Sequence, residues 1–74
     1  MSDYHINVFY STKDECYVAD MPDLQSCSAF GATAEEALRE VLAAKEAWLE
    51  TCRERGLGVP EPRYRPAIYA VPAA

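Results

Sequence analysis

Apolar and polar residues alternate at the start of the chain, with the period of a β-strand that buries one face. Tyr4, Ile6, Val8 and Tyr10 fall on one face of this first predicted strand, whereas Phe9 is an apolar residue on the other face. The polar stretch STKDE predicts a hairpin loop, and CYVA predicts a second strand that is apolar on both faces. Such a strand is expected at the centre of a sheet, or in a sheet whose second face is also covered.

Proline and glycine mark the boundaries of the following elements. Pro22 predicts that the second strand ends near Asp20, because proline cannot donate to a sheet ladder. SCSAF predicts a third strand, which Gly31 ends by permitting a turn. Farther along, LGVPEPRYRP predicts a linker stiffened by prolines, and AIYAV predicts a short final strand that Pro72 ends. The predicted fold class is therefore α+β, with the order β-β-β-α-β and a small antiparallel sheet.

One long helix is predicted between the third and fourth strands. Thr33 followed by Glu36 has the spacing of a capping box, so the helix is expected to run from Ala34 to about Arg55. Gly56 is placed to cap its C-terminus. Apolar residues recur in the helix at spacings of three and four, which predicts a single buried stripe. The residues of this predicted stripe are Leu38, Val41, Leu42, Trp48, Leu49 and Cys52.

Length and charge limit the classes of function. A chain of 74 residues makes a single domain, residues 1–74, whose core is small enough that oligomerisation is an expected source of further burial. Seven basic and twelve acidic residues give a net charge of −5, which disfavours direct binding to nucleic acid and suits a basic protein partner. The same charge also fits a role in solubility alone.

Cellular location is predicted from what the sequence contains. No apolar run approaches the roughly 20 residues of a membrane helix, and the N-terminus lacks the pattern of a signal segment. The three cysteines, Cys16, Cys27 and Cys52, are odd in number, which fits free thiols in a reducing compartment. We therefore expect a cytoplasmic protein with no membrane partner.

Two groups of residues are candidates for chemistry. Asp14, Asp20 and Asp23 suggest a metal or acid–base site, but aspartates in loops more often cap turns. His5 is the one histidine, and it is able to pair with a cysteine such as Cys27 on a neighbouring strand; a surface histidine is the favoured alternative. No C-x-x-C pair with zinc-ligand spacing is present. The sequence thus predicts a protein that is not an enzyme and has no cofactor or metal.

Exposed aromatic residues provide the candidate interface. Apolar and aromatic residues occur on both faces of the predicted sheet, and one helix covers one face, so we expect the other face to meet a second chain. PRYRP interleaves basic and aromatic residues, a weak signal for RNA stacking. The candidate residues for a partner or oligomer interface are Phe9, Tyr10, Arg63, Tyr64 and Arg65.

The segment YVADMPDLQSCSAFGATAEEALREVLAAKEAWLE resembles the HicB-like antitoxin family. The flanking YHINVFY and VPEP also fit, so that the resemblance covers nearly the whole chain. Family members often have Pro-Gly where this chain has Gln25-Ser26. The residues that carry the resemblance are Tyr17, Ala19, Pro22-Asp23-Leu24, Cys27, Gly31, Thr33, Glu36-Ala37 and Trp48-Leu49.

The resemblance implies a fold similar to a truncated ribonuclease H core, with the helix packed on one face of the sheet. It also implies a non-catalytic role in a toxin–antitoxin system: binding a small basic toxin of the HicA type, which cleaves mRNA, and masking its RNA-binding surface. Many family members carry a C-terminal DNA-binding domain, which this chain is expected to lack, so direct DNA binding is not expected. We expect a homo-oligomer, a dimer or a tetramer. The alternatives are a homo-oligomeric structural or RNA-metabolism accessory module without a toxin, and a nuclease.

Overall fold

The structure is a computed structural model that describes residues 3–65. These residues form three strands and a helix: β1 (Asn7–Ser11), β2 (Cys16–Asp20), β3 (Ser28–Gly31) and α1 (Ala34–Glu54). The strands make an antiparallel sheet in the order β1-β2-β3, and α1 packs against the sheet. The predicted α+β class is confirmed; the predicted final strand, residues 67–71, lies outside the described residues. Within residues 3–65, no helix is both long and apolar enough to cross a membrane.

The β1–β2 hairpin is closed by a short polar loop. β1 begins at Asn7, three residues later than the alternation predicted, although Tyr4 and Ile6 still pack against the core. In the loop, the Ser11 hydroxyl donates to the Asp14 carboxylate at 2.8 Å and accepts the Asp14 backbone N–H at 3.2 Å. Asp14 therefore has the turn-stabilising role that its loop position favoured.

The loop between β2 and β3 supplies half of the core. β2 ends at Asp20, as Pro22 predicted. The Met21 N–H donates to the Cys27 carbonyl at 3.0 Å. Between these residues, the Leu24 N–H donates to the Met21 carbonyl and the Cys27 N–H donates to the Leu24 carbonyl. Met21, Leu24 and Cys27 are all buried, because the loop folds its apolar side chains under the helix. The whole core cluster consists of Ala19, Met21, Leu24, Cys27, Ala37 and Val41.

Gly31 is required because α1 packs directly against it, whereas the sequence predicted that it permits a turn. It is the last residue of β3, and a Cβ atom built on it would lie 2.5 Å from the Ala37 backbone N and 2.9 Å from the Glu36 carbonyl carbon. Any side chain would overlap the helix backbone at these distances. Glycine therefore allows β3 to lie directly against the first turns of α1.

The N-terminus of α1 is capped almost as predicted. The Thr33 hydroxyl oxygen accepts the Glu36 backbone N–H at 3.1 Å. The Glu36 carboxylate accepts the N–H of Ala32 at 3.4 Å, one residue earlier than in the usual capping box. The predicted helix start at Ala34 is confirmed.

The C-terminus of α1 is a Schellman motif. Gly56 takes a φ of +67°, its N–H donates to the Arg53 carbonyl at 3.2 Å, and the Leu57 N–H donates to the Cys52 carbonyl at 2.9 Å. These two bonds satisfy carbonyls that would otherwise have no partner at the helix end. The prediction that Gly56 caps the helix is confirmed.

The buried stripe of α1 is only partly as predicted. Ala37 is fully buried, whereas Leu38 and Leu42 are each 37% exposed. Because Gly31 lies so close to α1, the helix is rotated about its axis so that the small Ala37 faces β3. The same rotation places Leu38 and Leu42 on the flank of the helix. The other predicted members are confirmed as buried or half-buried: Val41, Trp48, Leu49 and Cys52.

Candidate functional site

One face of the sheet carries no helix in the described part of the chain, and we name it the open sheet face. Phe9, Val18 and Phe30 are direct partners across the three strands on this face. Phe9 is 50% exposed and Phe30 is 57% exposed, but Val18 between them is only 8% exposed. Val18 does not belong to the core cluster under α1, so its burial comes from the side chains beside it on the open sheet face. The strand residues of this face are Asn7, Phe9, Ser11, Cys16, Val18, Asp20, Ser28 and Phe30.

The open sheet face is aromatic and nearly uncharged. Both phenylalanines of the chain lie on it, although phenylalanine is a residue that folding usually buries. Asp20, at one end of β2, carries the one formal charge among its strand residues. Exposed aromatic residues in a neutral row are typical of a surface that binds another protein.

The solvent-facing side of α1 forms a second surface, which we name the acidic helix surface. Six glutamates are exposed on this side together with Arg39 and Arg53, and no glutamate makes an ion pair with another residue in the range 3–65. Lys45, on the flank of α1, instead pairs with Asp3 at 3.6 Å. Three glutamate pairs are four residues apart, a spacing at which like charges destabilise a helix by a few tenths of a kcal/mol. The residues are Glu35, Glu36, Glu40, Glu46, Glu50 and Glu54.

The segment after the helix contacts the loop between β2 and β3 and the start of the chain. The Asp23 carboxylate accepts the backbone N–H groups of Arg63 and Tyr64, each at 3.1 Å. The Tyr64 ring packs against His5, with ring centroids 4.7 Å apart. Tyr4 donates its hydroxyl to the carbonyl of the linker residue Pro60. Burial is the main cause that raises the pKa of Tyr4, and the nearby Asp23 carboxylate is the second cause.

The predicted interface residues lie in three separate places. Phe9 is on the open sheet face, but Tyr10 is on the helix side, where its ring meets Tyr17 edge to face with centroids 5.2 Å apart. Arg63, Tyr64 and Arg65 lie after the helix and are exposed.

Phe30 is the residue that the interface prediction missed. The sequence indicated a strand at this position, but only the register of β2 with β3 shows that Phe30 lies beside Val18 and in line with Phe9.

Cys27, His5 and the loop aspartates are the groups that the sequence suggested for chemistry. Burial and the Asp20 carboxylate raise the pKa of the Cys27 thiol, and Lys45 opposes them only in part. Cys27 therefore stays protonated at neutral pH, whereas a nucleophilic cysteine needs a lowered pKa. His5 Nε2 lies 2.7 Å from the Asn7 side-chain oxygen, so its hydrogen-bond partner is an amide. Among residues 3–65, no three His, Cys, Asp or Glu side chains are placed to hold a metal ion.

An open groove of about 460 Å³ lies beside the C-terminal half of α1. Ala47, Trp48 and Thr51 line it on the helix, and Leu57 lines it after the Schellman turn. The indole N–H of Trp48 donates to the Gln25 carbonyl at 3.0 Å. This bond fixes the tryptophan ring as a wall of the groove.

Comparison with known proteins places the chain in a family. No model of a protein family matches it, and no solved structure matches it. It is similar to the UPF0150 protein ssl0259 of Synechocystis sp. (strain ATCC 27184 / PCC 6803 / Kazusa). The two are 38% identical over 53 residues, which cover 72% of this chain and 73% of the relative. An identity at this level over most of both chains indicates common descent. The chain belongs to the UPF0150 family.

Proposed function

We propose that this protein is a non-catalytic antitoxin of the HicB-like type, which binds a small basic HicA-type toxin and masks the surface with which that toxin binds and cleaves mRNA. The resemblance of the segment from Tyr17 to Glu50 supports this proposal from the sequence. The acidic helix surface supports it from the structure. It is the observation on which the mechanism depends.

The acidic helix surface is suited to a basic partner. A ribonuclease that binds RNA needs lysine and arginine side chains to contact phosphates, so its active surface is positively charged. The exposed glutamates of α1 have no cationic partner within residues 3–65, and they present carboxylates along one side of a rigid element. They would compete with RNA phosphates for the same cations. Charge complementarity of this kind speeds association and selects the partner.

The proposal is tested by isolating the protein with its partner and measuring inhibition. The tagged chain is recovered from its native cells, with and without ribonuclease treatment, and co-purified proteins are identified by mass spectrometry. A small basic protein in near-equal amount is expected. That protein, purified alone, should cleave RNA, and cleavage should stop when one equivalent of this chain is added. A captured protein whose cleavage of RNA this chain does not reduce would contradict the proposal.

Salt and charge reversal test the mechanism. Because the attraction is between exposed charges, inhibition should weaken as the salt concentration rises. Glu50→Lys, on the acidic helix surface, should lower the affinity for the toxin at least tenfold. Glu61→Lys is the matched control, since it changes the net charge of the protein by the same amount at an exposed linker position. Equal effects of the two substitutions would mean that only the net charge matters.

A second candidate is an orphan homo-oligomeric module without a toxin, and the open sheet face is the observation that favours it. Recovery of only the protein itself from native cells, in repeated isolations, would favour this candidate. The proposal of a toxin partner would then be wrong.

A further inference from the structure

We infer that the open sheet face binds a second copy of this chain, face to face, in a symmetric dimer with Val18 against the partner's Val18. The inference rests on the register of the sheet and does not depend on the proposed toxin. It specifies which face is covered, which residues meet and how the two sheets are oriented.

The first argument is that the row Phe9–Val18–Phe30 complements itself. The row crosses all three strands at one level, with the smaller side chain in the centre and a ring on each side. A two-fold axis that passes between two such sheets above Val18, either along the row or along β2, sets Val18 against its equivalent and rings against rings. Two faces of one shape are what a symmetric dimer requires.

The second argument concerns charge. The net charge of −5 favours a basic partner at the acidic helix surface, but the open sheet face offers almost no charge to attract one. A second copy matches it, because it brings the same neutral aromatic row. In such a dimer each α1 lies on the outside. Two sheets about 10 Å apart then separate the acidic helix surfaces by more than the Debye length of about 8 Å at physiological salt.

Charge also selects one of two orientations. If the two-fold axis runs along β2, Asp20 faces the Asp20 of the other copy, and Cys16 faces the other Cys16. If the axis runs across the strands, Asp20 faces Cys16 of the other copy, and each phenylalanine meets its own equivalent. Like charges directly opposite each other are unfavourable. The second arrangement, with the strands of the two sheets antiparallel, is therefore the one we propose.

The area of the face sets the expected strength. Five-residue strands at about 3.3 Å per residue, three strands wide, give a footprint of about 17 by 14 Å. That is well below the ~800 Å² per partner of a standard interface. We therefore expect a weak dimer that dissociates on dilution and, because the contact is apolar, persists as salt is raised. The proposed toxin contact should show the opposite salt dependence.

Sedimentation equilibrium of the purified chain over a wide concentration range tests the dimer. The mass should rise from one chain to two, and Phe30→Thr should raise the dissociation constant at least tenfold. Val59→Thr is the control, since Val59 is 47% exposed but lies in the linker after α1. Circular dichroism confirms that each variant folds. A wild-type chain that remains monomeric throughout, or a Phe30→Thr variant that associates like the wild type, would overturn the inference.

Cross-linking tests the orientation. In a Cys16→Ser background the two remaining cysteines are buried. Phe30→Cys in that background should link to itself with a short bis-maleimide, and Val59→Cys should not. Linking of Phe30→Cys only to a chain carrying Phe9→Cys would show that the axis runs along β2 and would overturn the orientation. In the wild-type chain, a cross-link between the Cys16 residues of two copies would also show that the axis runs along β2.

Discussion

The two faces of β3 contrast in the size of their side chains. On the face under α1, β3 presents Ala29 and Gly31, whereas on the open sheet face it presents Phe30 between them. The helix approaches so closely at Gly31 that no side chain fits at this position. The comparison shows that close packing on one side is combined with large apolar area on the other, which stays exposed within residues 3–65.

This contrast predicts two classes of substitution. Changes on the covered face should destabilise the fold at any protein concentration, because they alter contacts within one chain. Changes on the open sheet face should leave the isolated fold nearly intact. The predictions below test this difference, starting with the largest effect.

Truncation of the core under α1 should have the largest effect. Leu24 is 1% exposed, and Leu24→Ala should lower the free energy of unfolding by about 2–5 kcal/mol, through lost burial and the cavity that remains. Leu57→Ala is the control, because Leu57 is 57% exposed; its expected cost is below about 1 kcal/mol. Urea titrations followed by circular dichroism measure both. Similar losses for the two variants would show that the loop from Met21 to Cys27 is not part of the core.

A methyl group at Gly31 should have the next largest effect. Gly31→Ala forces β3 away from the first turns of α1, and such overpacking costs about 1–3 kcal/mol. The same change at Gly58, where a Cβ meets nothing within 4 Å, should leave stability unchanged or raise it by less than about 1 kcal/mol. If both alanine variants unfold at the same urea concentration, the close approach of strand and helix is wrong.

Loss of an open-face ring should have a smaller effect on the fold. In dilute solution, Phe30→Thr should change the free energy of unfolding by less than about 1 kcal/mol, since threonine also suits a strand and the ring is 57% exposed. Urea titrations at low protein concentration provide the measurement. A loss as large as that of Leu24→Ala would mean that the open sheet face is already covered within one chain.

The smallest effect compares Cys27, in the core under α1, with Cys16, on the open sheet face, and it is absent at neutral pH. Because folding raises the pKa of Cys27, the folded protein keeps the thiol proton to higher pH than the unfolded chain does. The free energy of unfolding should therefore fall as the pH rises above about 8.5, the ordinary thiol pKa, until it passes the raised value. Cys27→Ala should make this alkaline decrease smaller. Cys16→Ala, on the open sheet face, is the matched control, and an equal effect of the two would contradict the assignment.

Local patterns in the sequence were sufficient for most of the fold. The end of β2 before Pro22, the cap at Thr33 and the stop at Gly56 each depend on residues within a few positions of one another, so the sequence predicted them. Leu38 and Leu42 were wrongly placed in the buried stripe. Their positions depend on how α1 is rotated about its axis, which is set by a contact between Gly31 and Ala37 in two different elements.

The candidate surfaces were predicted less completely, because they depend on register and on distant contacts. Alternation showed that Phe9 lies opposite the buried face, but Phe30 joins it only through pairing with Val18. Tyr10 was placed with Phe9, although consecutive residues of a strand point to opposite faces. No local pattern near Tyr64 indicates that a carboxylate from another loop holds its backbone.

The Asp23 carboxylate has a further consequence for hydrogen exchange and the order of folding. It joins segments forty residues apart through bonds that remain exposed to solvent. The hairpins and α1 form from contacts between near neighbours, so the attachment of Arg63 and Tyr64 should come last during folding and open first in the native state. The amide protons of these two residues should exchange with solvent well before those of β2. Arg63 and Tyr64 are thus expected to detach and rebind while the sheet stays folded.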